Sequence, residues 1–175
     1  MTKALNDPLL IAAKGVIYFM LGIIAFAGFF VVLGIPATLI FGAELGADIN
    51  AAELPQHAYW LIALLLAGVA GLLAMGFRFF LDMLRIVQSV GKGDPFIPQN
   101  AVRLTVMAWI ALAINVLALP MAGLGVYIAK LAKEAPGTVE GGVDFGGIIL
   151  VLTLFVLARV FKHGAAMRED LEGTV

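Results

Sequence analysis

Chemistry needs reactive side chains, and this sequence holds few. His57 and His163 are its two histidines, and imidazole is the commonest protein ligand for metals and haem iron. Neither has a histidine or carboxylate partner at ligand spacing within its own span, so no metal or cofactor is expected. Glu44, Asp48 and Glu53 are hard-cation ligands by type, but their spacing is not that of a calcium loop and reads as a solvated connection. No nucleophile elbow, phosphate loop or metal-binding helix motif occurs. Cysteine is absent, which removes thiol catalysis, thiolate metal sites and disulfides. These residues point away from an enzyme. Two features remain: Asn115 inside an apolar run, and the polar series Arg78, Asp82, Arg85 and Ser89.

The elements that position them are membrane spans. Of 175 residues, 62% are apolar and 13% charged, far outside the balance of a water-soluble domain. The uncharged runs recur along the chain, unlike the single short run of a secretory signal. Crossing a hydrocarbon core of about 30 Å takes roughly 20 helical residues. The pattern predicts an all-α membrane protein, an antiparallel bundle of four transmembrane helices in one domain over 1–175, with spans 15–41, 59–77, 105–129 and 145–161. The second helix is expected to run on toward Val90. Pro8 suits a first helical turn, Asn6 or Asp7 its cap, and Pro36 a kink or end near the far side of the first span. Net charge is −1, so no overall field calls for direct contact with nucleic acid; the primary partner is the lipid bilayer.

Basic residues set the expected orientation, because cytoplasmic connections retain them. Lys3, Lys14, Arg78, Arg85, Lys92, Arg103, Arg159, Lys162 and Arg168 fall on one side, and Lys130 and Lys133 on the other. Both termini are therefore expected in the cytoplasm of a bacterial inner membrane. The opposite connections hold Glu44, Asp48 and Glu53, then Glu134, Glu140 and Asp144, and read as solvated.

Helices in lipid associate through small residues and polar contacts. The third span carries a seam of Ala101, Leu104, Ala108, Ala111, Asn115, Ala118, Ala122 and Gly125 at alternating three- and four-residue steps. Ala108, Ala111, Asn115, Ala118 and Ala122 are its expected packing residues, with Asn115 as an interhelical hydrogen-bonding group. Shorter stripes are Ala63, Ala67 and Gly71 in the second span and Gly15, Tyr18, Gly22 and Ala25 in the first. Such faces also allow a homo-oligomer.

On the basic side, Arg78, Asp82, Arg85 and Ser89 share one face of the continuing second helix, where Asp82 can pair with both arginines and the face stay solvated. Gly91 and Gly93 can end that helix in left-handed conformations, Pro95 stops it, and Asn100 is placed to cap the third. The fourth helix runs inward from Arg159 to Leu171 with mixed charge. The expected docking residues for a partner are Arg78, Asp82, Arg85, Phe96, Arg103 and Arg168.

The turn Gly93, Asp94, Pro95, Phe96 with Asn100, Arg103 and Leu104, and the ending Phe161, Lys162, His163, Gly164, Ala165 with Arg168, Glu169, Asp170, Thr174 and Val175, resemble the bacterial domain-of-unknown-function family 2975. Thr105 and Gly173 depart from that pattern, which more often has a basic and an apolar residue there. The resemblance implies a four-helix inner-membrane protein with no assigned activity. It also implies a gene neighbour, a small helix-turn-helix regulator, and hence a cytoplasmic DNA-binding protein as partner. The expected function is thus a non-enzymatic membrane partner of such a regulator. The alternatives are a small transport or permeation module, with Asn115 lining a path, and a structural subunit of a membrane complex.

Overall fold

A computed structural model describes residues 7–48, 55–132 and 145–172. Four helices follow in chain order: α1 Pro8–Asp48, α2 Gln56–Gly91, α3 Pro98–Leu131 and α4 Phe145–Glu172. All four are long and apolar enough to cross a membrane, and no strand occurs among the described residues. At about 1.5 Å per residue even α4 measures roughly 40 Å, more than the hydrocarbon core requires. Large apolar side chains such as Phe26, Trp60, Trp109, Ile149 and Val156 stay exposed on the protein surface, which water would penalise and lipid does not. The chain is a multi-pass membrane protein.

Each helix overruns its predicted span because helical conformation continues past the apolar run. At the start of α1 the Asp7 carboxylate accepts a hydrogen bond from the Leu9 amide at 3.0 Å, and Pro8 occupies the first turn, where an amide hydrogen is dispensable. At the other end α1 passes through Pro36 and reaches Asp48. Glu44 and Asp48 are therefore helical rather than loop residues. Glu53, Glu134, Glu140, Asp144, Lys3, Lys133, Thr174 and Gly173 lie outside the described residues. In α3, Pro120 also falls inside the helix, a feature the spacing of apolar residues did not bring out.

The helices divide into two compact units. The first combines α1 up to Ile23, α2 from Met75, α3 up to Ala113 and α4; the second holds the remainder of α1, α2 and α3. In the first unit α2 is the central helix, with two apolar faces. Phe79, Met83 and Ile86, at helical spacing, pack on a core of Leu104, Met107, Ala108 and Ala111 from α3 and Val151, Leu154 and Ala158 from α4. Phe77, Phe80, Leu81, Leu84 and Val87 pack with Ile17 and Leu21 of α1. Trp109 of α3 meets Phe155 of α4 edge to face at 5.5 Å, and Phe96, just before α3, lies 5.2 Å from Phe161. These pairings run in opposite chain directions, so α3 and α4 are antiparallel.

In the second unit contacts are made by large side chains against glycine. Tyr59 of α2 covers Gly42 of α1, and the Met121 thioether of α3 occupies the space where a β-carbon at Gly68 would stand. Thr38 donates its hydroxyl to the Gly34 and Ile35 carbonyls at 3.0 and 2.9 Å, supplying polar contacts beside Pro36, which has no amide hydrogen to give.

The small-residue stripes are only partly the packed faces. In α1, Gly15, Tyr18, Gly22 and Ala25 are all exposed, and the enclosed residues are Ile17 and Leu21. Branched aliphatics interlock with the phenyl rings of α2 more fully than glycine notches can. In α2, Ala63 is buried but Ala67 and Gly71 are exposed; the closely approached glycine is Gly68. The α3 seam packs from Ala101 to Ala111 and then opens. Asn115 and Ala122 are half-buried and Ala118 is exposed, so Ala118 is not a packing residue within this chain.

Candidate functional site

The residues with distinctive chemistry converge in the first unit where α2 turns into α3. Helix α2 ends in a Schellman motif. The Asp94 amide donates to the Ser89 carbonyl at 3.2 Å and the Gly93 amide to the Val90 carbonyl at 2.9 Å, with Gly93 at φ +84°. Only glycine takes that conformation without steric cost, which fixes the direction in which the chain leaves the helix. Gly93 alone fills this role; Gly91 remains helical, and a β-carbon there would meet the Lys14 ammonium and Leu10 of α1 only at ordinary contact distance.

Pro98 then opens α3, and Asn100 lies three residues in rather than at the cap position. Its side chain is fully buried. The amide nitrogen donates to the Ser89 hydroxyl at 2.6 Å and the Pro95 carbonyl at 2.8 Å, while its oxygen accepts from the Arg103 guanidinium at 2.8 Å. Ser89 in turn donates to the Ile86 carbonyl at 2.7 Å. One asparagine thus ties the end of α2, the turn and the start of α3 together, with its hydrogen-bonding groups occupied as burial demands. Its expected role as a cap is replaced by that of a clasp, because Pro98 moves the helix start upstream.

The tail of α4 closes over this turn. Arg168 forms an ion pair with Asp94, and Phe96 lies against Gly164 so closely that a β-carbon there would come within 2.7 Å of the ring. A side chain at position 164 would hold the ring away. The two sequence segments that carried the family resemblance are therefore one structural object. The pairing of Asp94 with Arg168 was missed in the sequence, although opposite charge and a lone glycine opposite an aromatic were its signals.

The polar face of α2 is partly enclosed, with Asp82 and Ser89 buried and Arg78 and Arg85 exposed. Asp82 is fully buried, with Arg78 Nε at 3.1 Å from one carboxylate oxygen and Arg85 Nη1 at 3.0 Å from the other. The guanidinium groups themselves are about half exposed. The expected pairing is present, but only its arginines stay solvated, because Ser89 is held by Asn100 and the Asp82 carboxylate is enclosed. Asp82 therefore leaves the set of residues that a partner could touch. Arg78 and Arg85 retain exposed surface, Arg103 is partly committed to Asn100, Arg168 is committed to Asp94, and Phe96 keeps 41% of its surface exposed.

His57 opens α2 in the second unit and His163 lies on α4 in the first; both are exposed. Among the described residues no group of three or more histidines or acids is placed to hold a metal ion. A family model described as a protein of unknown function, DUF2975, matches residues 45–175, which include the whole clasp. No curated protein and no solved structure matches the chain.

Proposed function

The chain belongs to the DUF2975 family of proteins of unknown function, and from that membership we propose that it is a non-enzymatic membrane partner of a soluble DNA-binding regulator. The docking surface is the clasped end of the first unit, facing the cytoplasm with both termini. Its orientation rests on the partition of basic residues, which places Arg78, Arg85, Lys92, Arg103 and Arg168 on the cytoplasmic side. The observation that carries the reading is the clasp itself. Segments from α2, α3 and α4, distant in sequence, are locked into one surface, and a preorganised surface binds a partner without further ordering cost.

The test is co-purification with a small helix-turn-helix regulator encoded beside the gene. Arg168→Asp should reduce recovery of the regulator several-fold, and adding Asp94→Arg should restore it by reversing the ion pair. Charge reversal at Arg78 and Arg85 should weaken capture most at low salt, where exposed charges are least screened. Equal recovery with all variants would remove this reading. An impermeant thiol reagent that labels Lys92→Cys in intact cells would remove the orientation.

A further inference from the structure

We propose that a groove between α3 and α4 of the first unit binds one anionic phospholipid, with its phosphate held by Arg159, Lys162 and His163. The groove has a volume of about 730 Å³ and is lined by Thr105 of α3 with Phe155, Val156, Ala158, Ala166 and the three basic residues of α4. Phe155, Arg159, Lys162, His163 and Ala166 follow one another at three- and four-residue steps or one position apart, so they form a single stripe along α4. The small side chains Ala158, Ala166 and Thr105 leave the space, and the Thr105 hydroxyl donates to the Ala101 carbonyl at 2.9 Å.

Charge and depth identify the occupant. The other arginines of this unit are answered within the protein: Arg78 and Arg85 by Asp82, Arg168 by Asp94 and Arg103 by Asn100. Among the described residues Arg159, Lys162 and His163 are answered by no carboxylate, and the groove lining contains no acid. Glu169, the nearest acid along the stripe, lines an adjoining groove with Lys162, about two helical turns further from the apolar end. The basic cluster also marks a level. From Phe145 to Ala158 α4 has no ionisable residue, and α3 likewise changes from Arg103 to the apolar run beginning at Leu104. The groove straddles that boundary in either orientation of the protein, with cations at headgroup level and Phe155 and Val156 at hydrocarbon level. An acyl chain reaches the aromatic end while its phosphate stays with the cations, the arrangement by which basic pockets between spans hold anionic lipids. A soluble acidic protein would meet Arg159 and Lys162 but would not enter the apolar part.

The experiment is native mass spectrometry of the full chain released from nanodiscs of mixed phosphatidylglycerol and phosphatidylcholine. The wild type should retain one phosphatidylglycerol with about thirtyfold preference, the scale expected for two basic side chains at a membrane surface. Arg159→Gln with Lys162→Gln should bring the preference close to parity. Lys92→Gln with Lys130→Gln removes the same charge from two exposed positions and should leave the preference intact. Ala166→Phe fills the groove without changing charge and should also abolish retention. Equal loss in both charge pairs, retention by Ala166→Phe, or no preference in the wild type would overturn the proposal. So would glycerol phosphate competing as well as the whole lipid, or an acidic soluble protein binding these residues in pure phosphatidylcholine nanodiscs.

Discussion

The two units share helices α1, α2 and α3, yet they are held by different means. In the first, buried side chains from the other three helices surround α2, and one end is clasped by Asn100, Ser89 and the Asp94 to Arg168 ion pair. In the second, only Ala58 and Ala63 are buried among the described hydrophobic residues, both helix-interior prolines occur there, and Tyr59 and Met121 lie over Gly42 and Gly68. Lipid removes the hydrophobic incentive to bury leucine, so what distinguishes the units is close fit and satisfied polar groups. A helical membrane protein can thus be specified strongly at the level where its polar side chains gather and loosely at another.

The largest expected effect comes from removing a polar side chain from each unit. Asn100→Leu leaves Ser89, Pro95 and Arg103 without their partner and should cost about 3 kcal/mol, at the upper end for buried groups deprived of a hydrogen bond. Thr38→Val in the second unit removes hydroxyl contacts made to carbonyls of its own helix and should cost under about 0.5 kcal/mol. Thermal unfolding in detergent micelles reads both, and comparable losses would end the distinction.

A smaller contrast lies along α3. Ala111 is buried at 5% exposure and Ala118 is exposed. Ala111→Leu should destabilise by about 2 kcal/mol through overpacking, while Ala118→Leu should change stability by less than about 0.5 kcal/mol. A loss at Ala118 matching that at Ala111 would mean that another copy or another protein covers the outer part of the seam.

The smallest effects concern glycine notches. Gly→Ala inside a helix gains up to about 1 kcal/mol from propensity when space allows. At Gly68 the obstacle is the flexible Met121 thioether, so Gly68→Ala should come out near neutral. At Gly164 the obstacle is a phenyl ring also packed on Phe161, so Gly164→Ala should lose about 1 kcal/mol net, within the range for overpacking. Phe96→Leu in the same background should recover part of that loss. Equal behaviour at the two glycines in the same unfolding assay would erase the difference between a rigid and a yielding contact.

Much of the second helix was legible in its residues: the run past Phe77, the pairing of Asp82 with Arg78 and Arg85, and the glycine stop at Gly93 all follow from local spacing. The burial of Asp82 was not, because a polar stripe has the same periodicity whether water or another helix covers it. Asn100 was legible as a structural residue but not as a clasp, since its partners Ser89 and Pro95 are positioned by the turn rather than by helix periodicity. In α1 the small residues pointed to the wrong face. Apolar residues surround that helix on every side, so the sequence contains no amphipathic contrast to show which ones meet protein.

Residue order alone dictates the solvent and the elements: uninterrupted apolar runs demand lipid, and lipid demands helices whose backbone groups are satisfied internally. Length, helix stops and the polar-to-apolar boundaries at Arg103 and Arg159 follow from residues within a few turns of one another. Tertiary packing alone brings the turn around Phe96 and the tail around Gly164 into one surface and, among the described residues, leaves three cations on α4 without a carboxylate. Those outcomes depend on which side chains approach across 60 or more residues of chain. Local periodicity carries no information about such approach, because each helix presents the same pattern to lipid and to a neighbouring helix.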